Sequence, residues 1–313
     1  MDLIAETLVK SVAMPVGVAT AALIGIAMPW RRVSPAADSR RAVIAGGVAV
    51  GLAYIGAHLA LSGGWPALPP RDTIHWMLAA AAFGVIRAVS ESFASGLPGS
   101  SAANAVRWTA RAALLAFVVT VMLWKLVRGP WTPGVSAAWV AGCAAAGLLW
   151  WRAAEGVVSR AAPLASAAVL TIAASAASAM SLVGGSMTLA QHAGAVAAAT
   201  GPLVGLALWR PDLPTARGTA AALAFLTTAL LAYGTQYNAA DTKVLAAASL
   251  LVMASVGVAW AVASIPAVFR CREAGAPWPR RLAAVIAPAL ATAIVAGAAI
   301  ALVVRNTPAA DGY

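Results

Sequence analysis

The side chains best suited to proton or metal chemistry in this sequence are its three histidines, His58, His75 and His192. An imidazole has an ordinary pKa of about 6.5 and a free ring nitrogen, so a group of them can relay a proton, bind a transition metal or ligate a haem. His192 follows Gln191 near the start of the apolar run 186–209, His58 lies one turn inside the end of the run 42–62, and His75, close to Asp72, opens the run 73–92. The metal signal is poor. No two ligands stand four apart, and no carboxylate shares a helical face with His192. Ser186, six residues before His192, turns to a different face and makes no nucleophile-base pair with it. The plainer role for Gln191 and His192 is a hydrogen bond between helices, the modest glue of membrane bundles.

A second constellation is "VIRAVSES", which sets Arg87 and Glu91 four apart on one face near the far end of the run 73–92. An intramembrane charge is expensive, so Arg87 is expected to pair with Glu91 or to reach for the headgroups. In a functional role the pair would gate an inner mouth or contact an anionic ligand there. The third is "LLAYGTQYNAADTK", which offers Tyr233, Thr235, Gln236, Tyr237, Asn238 and Asp241 at the end of a run that holds Thr227 and Thr228 deeper in. That stretch reads as a wetted helix end with a turn, or as the lining of a cavity mouth. Arg107, Arg111, Arg152 and Glu155 are the only further cluster that could serve catalysis at an interface.

All of these residues must be positioned by apolar elements. Of 313 residues, 62% are hydrophobic and 10% charged, against about 45–50% and about 25% in ordinary soluble domains. The apolar residues come in continuous runs separated by short charged stretches, which is how transmembrane helices read and how the alternating strands of a barrel do not. Ten spans are expected, at about 11–30, 42–62, 73–92, 108–127, 134–151, 161–182, 186–209, 218–237, 243–265 and 282–304. The fold class is therefore all-α, a polytopic transmembrane bundle forming a single integral membrane domain over 1–313, with no sizeable extramembrane domain. The longest connection, "SFASGLPGSSAANAVR", reads as a loop.

The loop charges supply an orientation. With ten spans, alternate connections hold fifteen of the Arg and Lys residues, and the other set together with the termini holds six. The positive-inside rule then sets both termini outside the cytoplasm and the three histidines in the outer half of the bilayer. The net charge of +11 finds its cause in this topology rather than in a nucleic-acid partner. Tryptophans such as Trp30, Trp65, Trp108 and Trp278 fall near span ends, where amphipathic rings settle. The first span, without a basic n-region or a small-residue cleavage site, reads as a retained helix rather than a signal peptide. Heavy use of Arg over Lys and of Ala over Leu fits a GC-rich bacterial genome.

Packing signals are plentiful. Gly47 with Gly51, and Gly201 with Gly205, form GxxxG motifs that permit close backbone approach, while Pro15, Pro202 and Pro288 fall inside spans and would kink them. "TARAALLAF" at 109–117 and "TARGTAAALAF" at 215–225 open two spans alike, as a repeat displaced by four helices or as two Ala-rich helices leaving a basic interface.

Absences narrow the chemistry. The sequence has no HExxH, GxSxG, Walker A, Rossmann glycine pattern, voltage-sensor ladder or CxxCH. Cys143 in mid-span and Cys271 in a basic loop build neither a disulfide framework nor a metal site. Every acidic residue lies in a loop or near a span end, which counts against pumps built on a mid-depth carboxylate and against intramembrane aspartyl or metalloproteases. No cofactor is expected. The leading expectation is a permease-like carrier of a small uncharged or anionic solute, with a cavity lined by Thr227, Tyr233, Gln191 and His192. The alternative is a non-catalytic membrane subunit or scaffold, packed solid, whose partners supply the chemistry; a lipid-modifying enzyme is third. The partners implied are the lipid bilayer, a small solute or other membrane subunits, in a bacterial cytoplasmic membrane.

Overall fold

The computed structural model describes residues 3–28, 30, 34–94, 101–238, 241–270 and 277–307. Among the described residues, ten helices are long and apolar enough to cross a hydrocarbon core of about 30 Å. The first, α1, spans Ile4–Ala27 and contains a π-helical stretch at Val9–Ala13. It is followed by α2 (Pro35–Ser62), a 3-10 turn (Thr73–Trp76) leading into α3 (Met77–Ala94), and α4 (Ser101–Met122). Next come α5 (Pro133–Arg160), α6 (Pro163–Val183) and α7 (Met187–Trp209). The chain continues through α8 (Thr215–Tyr237), α9 (Thr242–Ala263) and α10 (Trp278–Asn306). No strand occurs among the described residues. The protein is a multi-pass helical membrane protein, and the ten stretches expected from hydropathy are these ten helices.

Two boundaries differ in a way that matters for the site. The helix α4 begins at Ser101, so 101–107, expected to be loop, is helical; α5 runs on to Arg160, nine residues past the expected end at 151. Hydropathy marks where lipid ends, whereas a helix ends where its backbone is broken. "SAANAVR" contains neither Gly nor Pro, and α5 meets no proline until Pro163. The part of the expected loop at 95–100 lies outside the described residues, as do Arg31, Arg32, Cys271 and Arg272.

One buried apolar cluster takes in residues from all ten helices, among them Ala19, Leu115, Trp151, Leu170, Phe225 and Ala296. Its axis is α8, which packs against α2, α3, α4, α5, α6, α7 and α9. Small residues let the neighbours come close. A methyl group at Gly218 of α8 would collide with the Val43 carbonyl of α2, and one at Gly84 of α3 with the Ala222 backbone of α8. Gly47 and Gly51 of α2 likewise face Ala88 and Val85 of α3, so that GxxxG motif is a packing seam. Gly201 and Gly205 are different: a Cβ at either meets nothing within 4 Å. In a chain this rich in small residues, the spacing alone does not choose an interface.

Candidate functional site

Polar side chains gather at the two ends of the bundle. His75 opens the segment leading into α3 and Glu91 lies near the close of α3; they stand sixteen positions apart, about 24 Å of helix.

At the histidine end, Tyr54 and His58 stand four apart in "YIGAH", on one face of α2. Because α2 packs against both α3 and α7, this face meets His75 from one side and His192 from the other. The contacts form one line. His75 Nδ1 lies 3.0 Å from His58 Nε2, His58 Nδ1 lies 3.3 Å from the Tyr54 hydroxyl, and that hydroxyl lies 3.0 Å from His192 Nδ1. The His58 and His192 rings are 4.8 Å apart at their centroids, and those of His58 and His75 5.2 Å. Tyr54 and His58 are fully buried and His192 nearly so, while His75 is half-buried. The nitrogens face one another in sequence rather than a common centre, and among the described residues no group of three or more His, Cys, Asp or Glu is placed to hold a metal ion.

Gln191, half-buried beside His192, takes no part in this line. Thr227 and Thr228 are both buried. Thr228 faces an apolar groove of ≈ 370 Å³ between α5, α8 and α9, together with Cys143, Thr235 and Ser249. Tyr233 stacks on Tyr237 with ring centroids 4.6 Å apart, and Gln236 beside them has a buried side-chain nitrogen without a partner. Thr227, Tyr233, Gln191 and His192 line neither this groove nor the cavity described next.

At the arginine end the centre is Arg111 of α4, whose side chain is only 2% exposed. Its guanidinium serves two carboxylates at once. Nε and Nη2 donate to Glu91 Oε1 at 2.9 and 2.5 Å, while Nη1 donates to Glu155 Oε2 at 3.0 Å and Nη2 to Glu155 Oε1. Arg87 Nη2 donates to the same Glu91 oxygen at 2.8 Å, so the Arg87–Glu91 pair within α3 is one link of a larger network joining α3, α4 and α5. The indoles of Trp108 and Trp151 flank the Arg111 guanidinium at 4.5 and 4.3 Å, supplying cation–π contacts in place of water. Further out on α5, Arg152 and Arg160 both lie over Trp260 of α9, which rests where Gly156 has no side chain.

These helix ends enclose a cavity of ≈ 400 Å³ lined by Glu91, Arg107, Arg111, Arg152, Glu155 and Arg217, with Asn104, Trp108 and Ser159. Asn104, Arg107, Arg152, Glu155 and Ser159 of this lining come from the extensions of α4 and α5 beyond their expected limits. Arg111 is engaged by the two carboxylates. Among the described residues, Arg107, Arg152 and Arg217 have no carboxylate partner, so the cavity carries uncompensated positive charge. Arg111 and Arg217 are the third residues of the two "TAR" openings, and the structure brings them to one cavity. Sequence reasoning named Arg107, Arg111, Arg152 and Glu155 but passed over Arg217, Trp108 and, at the other end, Tyr54. The i, i+4 spacing of Tyr54 with His58 and of Trp151 with Glu155 was the available signal.

Compared with known protein families, curated proteins and solved structures, the chain matches none of them. Its function must be read from these sites.

Proposed function

We propose that the protein is a permease-like carrier of a small anionic solute in a bacterial cytoplasmic membrane, with the arginine end facing the cytoplasm and both termini outside. The observation that carries this reading is the cavity of ≈ 400 Å³ in which Arg107, Arg152 and Arg217 surround the Arg111 network without carboxylates of their own. Planar guanidinium groups around an open space are the donors that carboxylate and phosphate oxygens require. Glu91 and Glu155 hold the buried Arg111 in the wall of the cavity, where an arriving anion would compete for it. A packed scaffold would fill such a space with apolar side chains, and this is what favours the carrier over the non-catalytic subunit. The excess of basic loops on one side supports the orientation.

The test is counterflow in proteoliposomes with radiolabelled phosphate, sulfate, lactate, succinate and glutamate. Saturable uptake of at least one anion is expected, and Arg152→Gln or Arg217→Gln should raise its KM several-fold with little change in the maximal rate, because these side chains bind the ground state. Uptake of every anion no faster than in protein-free vesicles overturns the reading. A phospholipid that co-purifies and is lost in both variants, without transport, would assign the cavity to a lipid headgroup instead.

A further inference from the structure

We infer that His75, His58, Tyr54 and His192 form a directional proton relay between the histidine end of the bundle and its buried interior. The inference is independent of the carrier reading and rests on connectivity. All three histidines of the chain belong to one unbroken line of hydrogen bonds, with a single tyrosine hydroxyl as the middle link. The line runs from a half-buried ring to one that is 3% exposed, through two side chains that are fully buried. A metal site would aim its nitrogens at one point, and a structural hydrogen bond would need one pair. Four groups in series do what neither requires.

Donor and acceptor capacity determines how the line can work. A neutral imidazole carries one N–H and one lone-pair nitrogen, and the phenol has one proton with oxygen lone pairs to accept others. The line is head-to-tail when His75 Nδ1–H donates to His58 Nε2, His58 Nδ1–H donates to the Tyr54 oxygen, and Tyr54 O–H donates to His192 Nδ1. A proton bound at His75 Nε2 then displaces the Nδ1 proton of His75 to His58 Nε2. His58 passes its Nδ1 proton to the Tyr54 oxygen, and Tyr54 passes its own proton to His192 Nδ1. Each step breaks one N–H or O–H bond and forms the next, no electron pair leaves its atom, and His75, His58 and Tyr54 end neutral. His192 ends as the imidazolium with both nitrogens protonated, so the net event is the movement of one positive charge inward. The donor pattern behind it is reversed, and the reverse passage restores it.

Among the described residues, the other titratable groups of this end stand outside the line. Asp72 stands three residues before His75 and faces Lys125 at 3.7 Å; Glu6 and Lys10 of α1 pair with each other at 2.6 Å; Arg71 is exposed; and Tyr233 and Tyr237 of α8 stack on one another. The hydrogen bonds found for Tyr54, His58 and His192 join them to one another and to His75.

The test is nitrogen-15 and proton NMR of the histidine rings in the full-length protein in nanodiscs. In the wild type, His192 Nδ1 is expected as an unprotonated acceptor, and on acidification this nitrogen should exchange between its unprotonated and protonated forms, read by nitrogen-15 relaxation dispersion, at a rate set by the relay. Tyr54→Phe keeps the ring and removes the link, so it should slow exchange at His192 by more than about tenfold, as expected when only rare opening admits water, and leave exchange at His75 unchanged. His58→Gln keeps an amide that can hydrogen-bond on both sides but cannot pass a proton along, and it should give the same selective slowing. It also serves if Tyr54→Phe fails to fold. Equal exchange at His192 in the wild type and the folded variants, or donation by both His58 Nδ1 and His192 Nδ1 to Tyr54 in the wild type, overturns the relay.

Discussion

Arg111 shows how a buried charge is held. With 2% of its side chain exposed, it would be intolerable alone, and it is stabilised because Glu91 and Glu155 meet its fork while two indoles cover its faces. Removing it leaves two carboxylates facing each other, so Arg111→Met is expected to cost about 3–5 kcal/mol. Glu155→Gln retains Glu91 as counterion and should cost about 1–3 kcal/mol, the range for loss of a charge-assisted hydrogen bond. Unfolding in mixed micelles reads both variants. Equal losses would mean that the two carboxylates do not share the guanidinium as the geometry requires. Little of this was legible beforehand: the sequence displays the i, i+4 pair Arg87 and Glu91, but Arg111 joins it from another helix, and no local spacing announces that. The same holds for the histidines, whose positions near span ends were readable while the contact of α2 with both α3 and α7 was not.

The helices themselves were legible because lipid imposes one demand on every span, about 20 apolar residues in a row. Their limits were not, where helical backbone continues beyond the lipid, and the arginine cavity stands on that excess. Three substitutions test these statements. Ala105→Pro falls in the first turns of α4, in the stretch whose composition had suggested loop; it should destabilise by about 3 kcal/mol if 101–107 is helix, and a neutral result in micelle unfolding would return the segment to loop. At the packing seams, Gly218→Val forces a side chain against the Val43 carbonyl and should cost about 1–3 kcal/mol or more. Gly205→Val, with open space around it, should leave stability and expression unchanged. If both glycines tolerate valine, α8 does not sit against α2 as closely as described.

At the scale of the whole molecule, the two polar ends carry opposite kinds of chemistry, and a single axial helix, α8, separates them. An end rich in guanidinium groups attracts anions and resists translocation, whereas the histidine end offers neutral imidazoles beside charges of both signs, among them the pairs Glu6–Lys10 and Asp72–Lys125. The orientation of the bundle therefore decides which solution each site meets. The loop charges favour the arginine end inside, and this is open to direct measurement because both ends offer exposed positions on described segments, Gly64 after α2 and Ser159 in the last turn of α5. In a background lacking Cys143 and Cys271, Gly64→Cys should react with an impermeant maleimide added to intact cells. Ser159→Cys should react only after permeabilisation. The reversed pattern would put the basic cavity outside and the histidine line at the cytoplasmic face, and an anion carrier would then have to capture its solute from the medium. Labelling of both positions in intact cells would mean that the ten helices do not all cross the bilayer, since α3, α4 and α5 must each cross for these two ends to lie on opposite sides.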